Sequence, residues 1–273
     1  MKLRSRGLLG ELSAEFLGTF VILIFGIGVG CNVFLFPGVD RGGYVAVGFA
    51  WGLGVAFAIY LAGGISGAHL NCAVTLALAV RRGFAWSKVL PYCFAQIAGA
   101  FAAAALMRWN YWEAFNRFDP LKTFKSQGMF STSPNGISML GGLRDQVILT
   151  AILVMLIFAL IDTINTAPQA NMGPLLIGLL VTAIGFAYGV NSAWAINPAR
   201  DFGPRLLQYF AGWHTAWRDP AGDLYWWVPI IGPLVGGVIG AVIYDVFVGN
   251  FVKKKKEEES VPGEVPNAAT ASD

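Results

Sequence analysis

The sequence predicts an all-α membrane protein, with six transmembrane helices and two re-entrant half-helices in an inverted repeat. Three observations carry that prediction. Of 273 residues, 56% are hydrophobic and 13% charged, too little charge to coat a soluble domain of this size. Six apolar stretches begin near Leu8, Tyr44, Val89, Val147, Pro174 and Trp226, each about 20 residues long, enough to cross a hydrocarbon core. A short polar insert also occurs twice, as SGAHLNCAVT at 66–75 and SAWAINPARD at 192–201.

The first span carries Glu11 and Glu15 and is too long and too acidic for a signal-peptide core, so it belongs to the fold. A carboxylate at mid-helix costs about 2.5–3.5 kcal/mol on insertion scales. Glu15 is therefore expected to face inward and accept hydrogen bonds from the loop around His69 and Asn71, with Gln146 its counterpart in the other half. Basic residues gather before span one (Lys2, Arg4, Arg6), between spans two and three (Arg81, Arg82, Lys88) and after span six (Lys253 to Lys256). Basic loops face the cytoplasm, which puts both termini inside. The opposite loops, near Asp40 and Arg41 and from Arg108 to Arg144, are mixed in sign. Tyr225, Trp226 and Trp227 are expected in an interfacial aromatic belt. Thirty-four glycines suit close helix crossings in lipid. Cys31, Cys72 and Cys93 suggest neither a disulfide framework nor a zinc site. Residues 1–252 read as one membrane domain, and 253–273 as a disordered cytoplasmic tail.

Aligning Asn71 with Asn197 brings Ser66 onto Ser192, Gly63 onto Gly189 and Gly52 onto Gly178. The heads of the halves agree too: Glu15-x-x-x-Thr19 opens a first repeat over about 8–109, and Gln146-x-x-x-Thr150 a second over about 140–248. With three spans per half, the second enters the membrane from the opposite side. The runs after the inserts, AVTLALAVRR and ARDFGPRLLQYF, are too short to cross alone and are expected as half-helices. Irregular backbone at that depth is tolerated only where it lines a cavity or is packed in protein.

SGAHLN followed by AVT, and AINPARDFGPR, set in two three-span halves, resemble the major intrinsic proteins, and within them the glycerol facilitators or aquaglyceroporins. The resemblance runs from about Leu8 to Val248. It implies an aquaporin-like fold with one pore per subunit, assembly as a homotetramer, and a place in the plasma membrane. The implied central pore motifs are Asn71, Cys72 and Ala73 against Asn197, Pro198 and Ala199, the paired NPA motifs with cysteine in one proline position. The implied selectivity filter is Trp51, Gly185, Trp194 and Arg200, with Trp194 where family members usually carry phenylalanine or tyrosine. Asp201, the FSTSPNG loop at 130–136, and Gly185 with no histidine nearby are similar to glycerol channels. The resemblance thus implies a passive channel for glycerol and other small uncharged solutes, urea among them, with water and without ions. A water-selective channel is the alternative within the family. From a different class, an ion-coupled carrier also uses inverted repeats and broken helices, but the core offers almost no carboxylate besides Glu15.

The residues support that implication physically. A polyol crossing without ions needs one wall that replaces hydration of its hydroxyls and another that packs its carbons. Arg200 supplies fixed donors, Trp51 and Trp194 supply flat apolar faces, and Gly185 is expected to leave an opening. The carbonyls of Gly67, Ala68 and His69, and of Ala193, Trp194 and Ala195, are expected to form a ladder of acceptors. Asn71, Asn197 and two half-helix N-termini place donors and positive partial charge at the centre, which repels cations. Each residue also has a structural reading. Arg200 ties backbone carbonyls, the tryptophans are belt residues, the His69 ring is packed rather than a pH gate, and Asp201 supports the loop. Cys72 either presents a thiol at a helix N-terminus to pore reagents or packs sideways as proline would. Neither histidine lies in a nucleophile or metal-ligand pattern and no phosphate-cradling loop is present. No enzyme, cofactor, metal or nucleic-acid role is called for.

Overall fold

The computed structural model describes residues 7–36, 38 and 41–260, the side chains of 257–260 excepted. Lys2, Arg4, Arg6, Asp40 and 261–273 lie outside the described residues. The chain runs α1 (Leu8–Phe34), α2 (Gly43–Ser66), α3 (Cys72–Arg81), α4 (Trp86–Asn110), α5 (Trp112–Phe118), α6 (Phe124–Gln127), α7 (Met139–Ile161), α8 (Gly173–Tyr188), α9 (Pro198–Phe210) and α10 (Val228–Tyr244). A π-helical segment (Asp245–Gly249) then leads into α11 (Asn250–Ser260). This is a multi-pass membrane architecture. α1, α2, α4, α7 and α10 with its continuation are long and apolar enough to span.

The fifth expected span, α8, is shorter. Its 16 residues reach about 24 Å at 1.5 Å per residue, below the roughly 30 Å of a hydrocarbon core. The chain entering it carries left-handed Ala170 and Asn171 (φ +52° and +56°), and Pro174 opens the helix. The fourth span starts earlier than hydropathy suggested. Ser138 caps α7 by accepting from the Gly141 N–H at 3.1 Å, so the polar turn containing Arg144 and Asp145 is already helical.

Glycines set how closely the spans cross. Gly52 of α2 and Gly178 of α8, the positions that the internal alignment pairs, lie against each other, and a Cβ on either would collide with the other's carbonyl oxygen. Equivalent residues of two halves meet in this way on a pseudo-two-fold axis. Gly236 and Gly240 of α10 lie on the Val147 and Ala151 carbonyls of α7, and Gly99 of α4 lies on the Phe16 carbonyl of α1. Small residues are what permit such backbone approach in lipid, where apolar side chains gain little by leaving the tails.

Two expectations are corrected. Tyr225 is fully buried against Gly142 rather than in an aromatic belt, because the segment carrying it folds back on the start of α7. The tail expected to be disordered from 253 stays helical to Ser260. Lysine and glutamate are good helix formers, and the helix is seeded by an anchored turn. Asp245 takes Arg81 and Arg82, each at 2.7 Å, which ties the C-terminus of α3 to the end of α10.

Gly240→Val is expected to destabilise the protein by about 3 kcal/mol through overpacking at the α7–α10 crossing, read as a lower unfolding temperature in detergent. Gly10→Ala, where an added Cβ meets nothing within 4 Å, should leave that temperature unchanged or raise it.

Candidate functional site

The two polar inserts are irregular loops that end on the half-helices α3 and α9. Asn71 and Asn197 cap these helices from extended backbone (φ −158° and −153°). The Asn71 Oδ1 accepts from the Ala73 N–H at 2.8 Å, and the Asn197 Oδ1 from the Ala199 and Arg200 N–H groups at 3.0 and 3.3 Å. An asparagine N-cap is worth about 1 kcal/mol, but these two also hold each other's loops. The Asn71 amide donates to the Ile196 carbonyl and the Asn197 amide to the Leu70 carbonyl, both at 2.8 Å. Each amide then keeps one N–H for the lumen.

The loop backbone repeats the same strained pattern. Gly67, Ala68 and Leu70 are left-handed (φ +85°, +50° and +52°), and so are Ala193, Trp194 and Ile196 (+57°, +31° and +43°). Such conformations cost on the order of 1–3 kcal/mol each for non-glycine residues and persist only where the surroundings impose them. Glu15 imposes them on the first loop. Its Oε1 accepts from the Ser66 hydroxyl (2.6 Å) and the His69 N–H (2.9 Å), and its Oε2 from the Leu70 N–H and the Gln96 amide, both at 2.7 Å. In the second loop the Gln146 Oε1 accepts from the Ile196 N–H at 2.9 Å. Its amide donates to the Ser192 Oγ at 2.7 Å, and that hydroxyl donates to Asp145 at 2.5 Å.

Between the loops and the spans runs a cavity of about 250 Å³. One wall carries Gly67, Ala68, His69, Asn71, Trp194, Ala195 and Asn197; Ile22, Val55, Ile59, Leu153, Ile157 and Val181 form an apolar wall. At one end Trp51, Trp194 and Arg200 converge. The Arg200 guanidinium lies over the Trp51 ring, 4.1 Å from its centroid, and its Nη1 donates to the Phe130 carbonyl at 2.9 Å. Arg200 therefore both lines the cavity and tethers a loop. The His69 ring is packed by Phe84 and Tyr92 and lies 3.2 Å from the Thr75 hydroxyl.

The FSTSPNG loop that Arg200 tethers is fixed by α9. Asp201 accepts from the Thr132 N–H and hydroxyl, both at 2.7 Å, and forms a fully buried ion pair with Arg205. Arg205 donates onward to the carbonyls of Ala216 (2.7 Å) and Thr132. Tyr225 lies under that guanidinium, 5.7 Å away, and burial pushes its phenol above the usual range, so it stays neutral.

Several sequence-chosen residues do not line the cavity. Ala73, Pro198 and Ala199 form the first turns of the half-helices and face protein; Ala193 is also absent from the lining. Gly185 does not leave an opening. The Trp194 indole fills the space above it, within 2.9 Å of where a Cβ would sit. Cys72 shares a separate apolar cleft with Cys93, Pro198 and Phe202, so its thiol packs sideways. Sequence reasoning missed Gln96, Asp145, the Phe130 carbonyl and Arg205. Of these, only the Asp201–Arg205 pair had a readable signal, opposite charges at i and i+4 on a helix.

Against known proteins, the family model described as "Major intrinsic protein" matches residues 2–244. The chain is 41% identical to "Aquaporin-10" of Milnesium tardigradum over 88% of its own length and 63% of that protein's, so it spans less than two thirds of that relative. It is 40% identical to the "Glycerol uptake facilitator protein" of Escherichia coli (strain K12), over 88% of both chains. A crystal structure described as the aquaglyceroporin from Plasmodium falciparum superposes with a TM-score of 0.81 at 31% identity, covering 91% of this chain and all of that one.

Glu15→Gln turns an amide donor toward a backbone N–H and strands it. It should cost about 2 kcal/mol, seen as a lower unfolding temperature in detergent with a matching loss of folded yield. A charged thiosulfonate added to either aqueous side should leave solute flux unchanged, because Cys72 faces the cleft. Block that disappears in Cys72→Ser would overturn that placement.

Proposed function

Because the chain belongs to the major intrinsic protein family, we propose that it conducts glycerol and other small uncharged solutes, with water, passively through one pore per subunit. The observation that carries this reading is the two-sided cavity. Hydroxyl groups meet Arg200, the two asparagine amides and the loop carbonyls on one wall, while carbons meet the apolar wall and the Trp51 and Trp194 faces. The relative named a glycerol uptake facilitator supports glycerol over water alone.

Ion exclusion rests on charge. Two half-helix N-termini bring about half a positive unit each to the centre, and Arg200 adds a full one at the constriction, where burial strengthens its field. Ion coupling is disfavoured because both oxygens of Glu15, the carboxylate nearest the first loop, are already engaged by four donors.

Within this reading Trp51, Gly185, Trp194 and Arg200 form the filter, with Gly185 acting as the bed for the indole. Asn71 and Asn197 form the central barrier. Glu15, Gln146 and Asp201 keep the loops in place. Urea is a further permeant, four subunits assemble as a homotetramer, and the protein resides in the plasma membrane with both termini in the cytoplasm. Arg81, Arg82 and Lys88 support that orientation, since they lie on the side where basic loops remain.

In proteoliposomes, an imposed glycerol gradient should collapse through the purified protein at a rate indifferent to sodium or pH gradients, as followed by stopped-flow light scattering. Water flux without glycerol flux would favour the water-selective alternative, and strict dependence on an ion gradient would favour a carrier.

A further inference from the structure

Tyr44, at the start of α2, makes contacts that converge on the constriction. Its hydroxyl donates to the Gly185 carbonyl at 2.8 Å. Its ring meets the Trp194 indole edge-on, with centroids 5.5 Å apart and planes at 78°. The same hydroxyl and the indole together occupy the space a Cβ on Gly189 would need. The indole is thus bounded by the glycine backbone of α8 on one side and by Tyr44 on another. Trp194 itself ends the turn that follows α8, at φ +31°, with no helix of its own to fix the side chain, so its neighbours must hold it.

Resting on the permeation reading above, we propose that Tyr44 is the positioning residue of the constriction: it holds the Trp194 indole and the Gly185 carbonyl in one arrangement and so sets the largest polyol that passes. The ring acts as a buttress. Removing it opens a space into which a flat side chain can turn away from the lumen. The hydroxyl acts as a lock, since the Gly185 carbonyl already accepts from the Gly189 N–H at 3.0 Å and the phenol engages its second lone pair, which withdraws it from passing solutes. The residue is tied to a tryptophan at position 194, because the large indole is what needs a second wall.

The test is the ratio of erythritol to glycerol permeability, measured by light scattering on the same proteoliposomes, a quantity independent of how many channels are folded. Tyr44→Ala should raise that ratio about threefold or more, the range one aromatic pair can hold. Tyr44→Phe keeps the ring and should change it much less. In a Trp194→Ala background, Tyr44→Ala should have no further effect. An unchanged ratio in Tyr44→Ala, or the same change with and without Trp194, would overturn the proposal. A wild-type channel that passes no glycerol counts instead against the permeation reading.

Discussion

Backbone that leaves its helix inside a membrane must find every hydrogen-bond partner within the protein, and the centre of this molecule is organised around that requirement. Two loops that unwind at membrane depth expose peptide groups to a medium without water, where an unpaired group costs several kcal/mol. The chain meets this by reciprocity. Each loop's terminal asparagine caps its own half-helix and reaches across to the last carbonyl of the other loop. Neither loop is complete alone, which makes the two halves of the repeat one folding unit at the centre. Among the described residues, what remains without a protein partner is a short row of loop carbonyls and one hydrogen on each asparagine amide. These are the groups a hydroxylated solute needs in place of water.

The halves reach the same backbone by different chemistry. Glu15 holds the first loop as a pure acceptor with four donors around it. Gln146 holds the second with one oxygen and one amide, and hands the hydroxyl of Ser192 on to Asp145. A carboxyl group is thus present in both halves, one residue apart in its placement. The outer part of α9 adds a third fixed network through Asp201 and Arg205. Arg200, between the asparagine and that network, is therefore held at its backbone from both directions, and its guanidinium is held by the Phe130 carbonyl and the Trp51 face.

The fold and the polar half of the site were legible in the sequence because both rest on local patterns. Apolar length gave the spans, a duplicated insert gave the loops, and a carboxylate costly in lipid pointed to the loop it would serve. The parts that were not legible depend on contacts between residues far apart in the chain. Nothing near Gly185 tells that an indole rests on it, and nothing near Tyr44 tells that its hydroxyl reaches α8. The sequence left Cys72 with two placements, toward the pore beside Asn71 or sideways as proline would pack, and the structure has the second. The helix turn between Asn71 and Cys72 directs one side chain to the lumen and the other away from it. Tyr225 misled, since an aromatic beside two tryptophans suggests a belt and burial against Gly142 is a tertiary fact.

The cleft that holds Cys72 changes how the motif itself should be understood. The second letter of each motif lies among residues of α3, α4, α9 and α10 and never meets what passes through. Its identity therefore answers to the fit of two half-helices against their neighbours, and drift at that position is a matter of shape and oxidation chemistry rather than of cargo. On the proposed reading, asparagine is the letter answerable to transport. A channel that spells one motif with cysteine has altered its masonry and left its doorway alone.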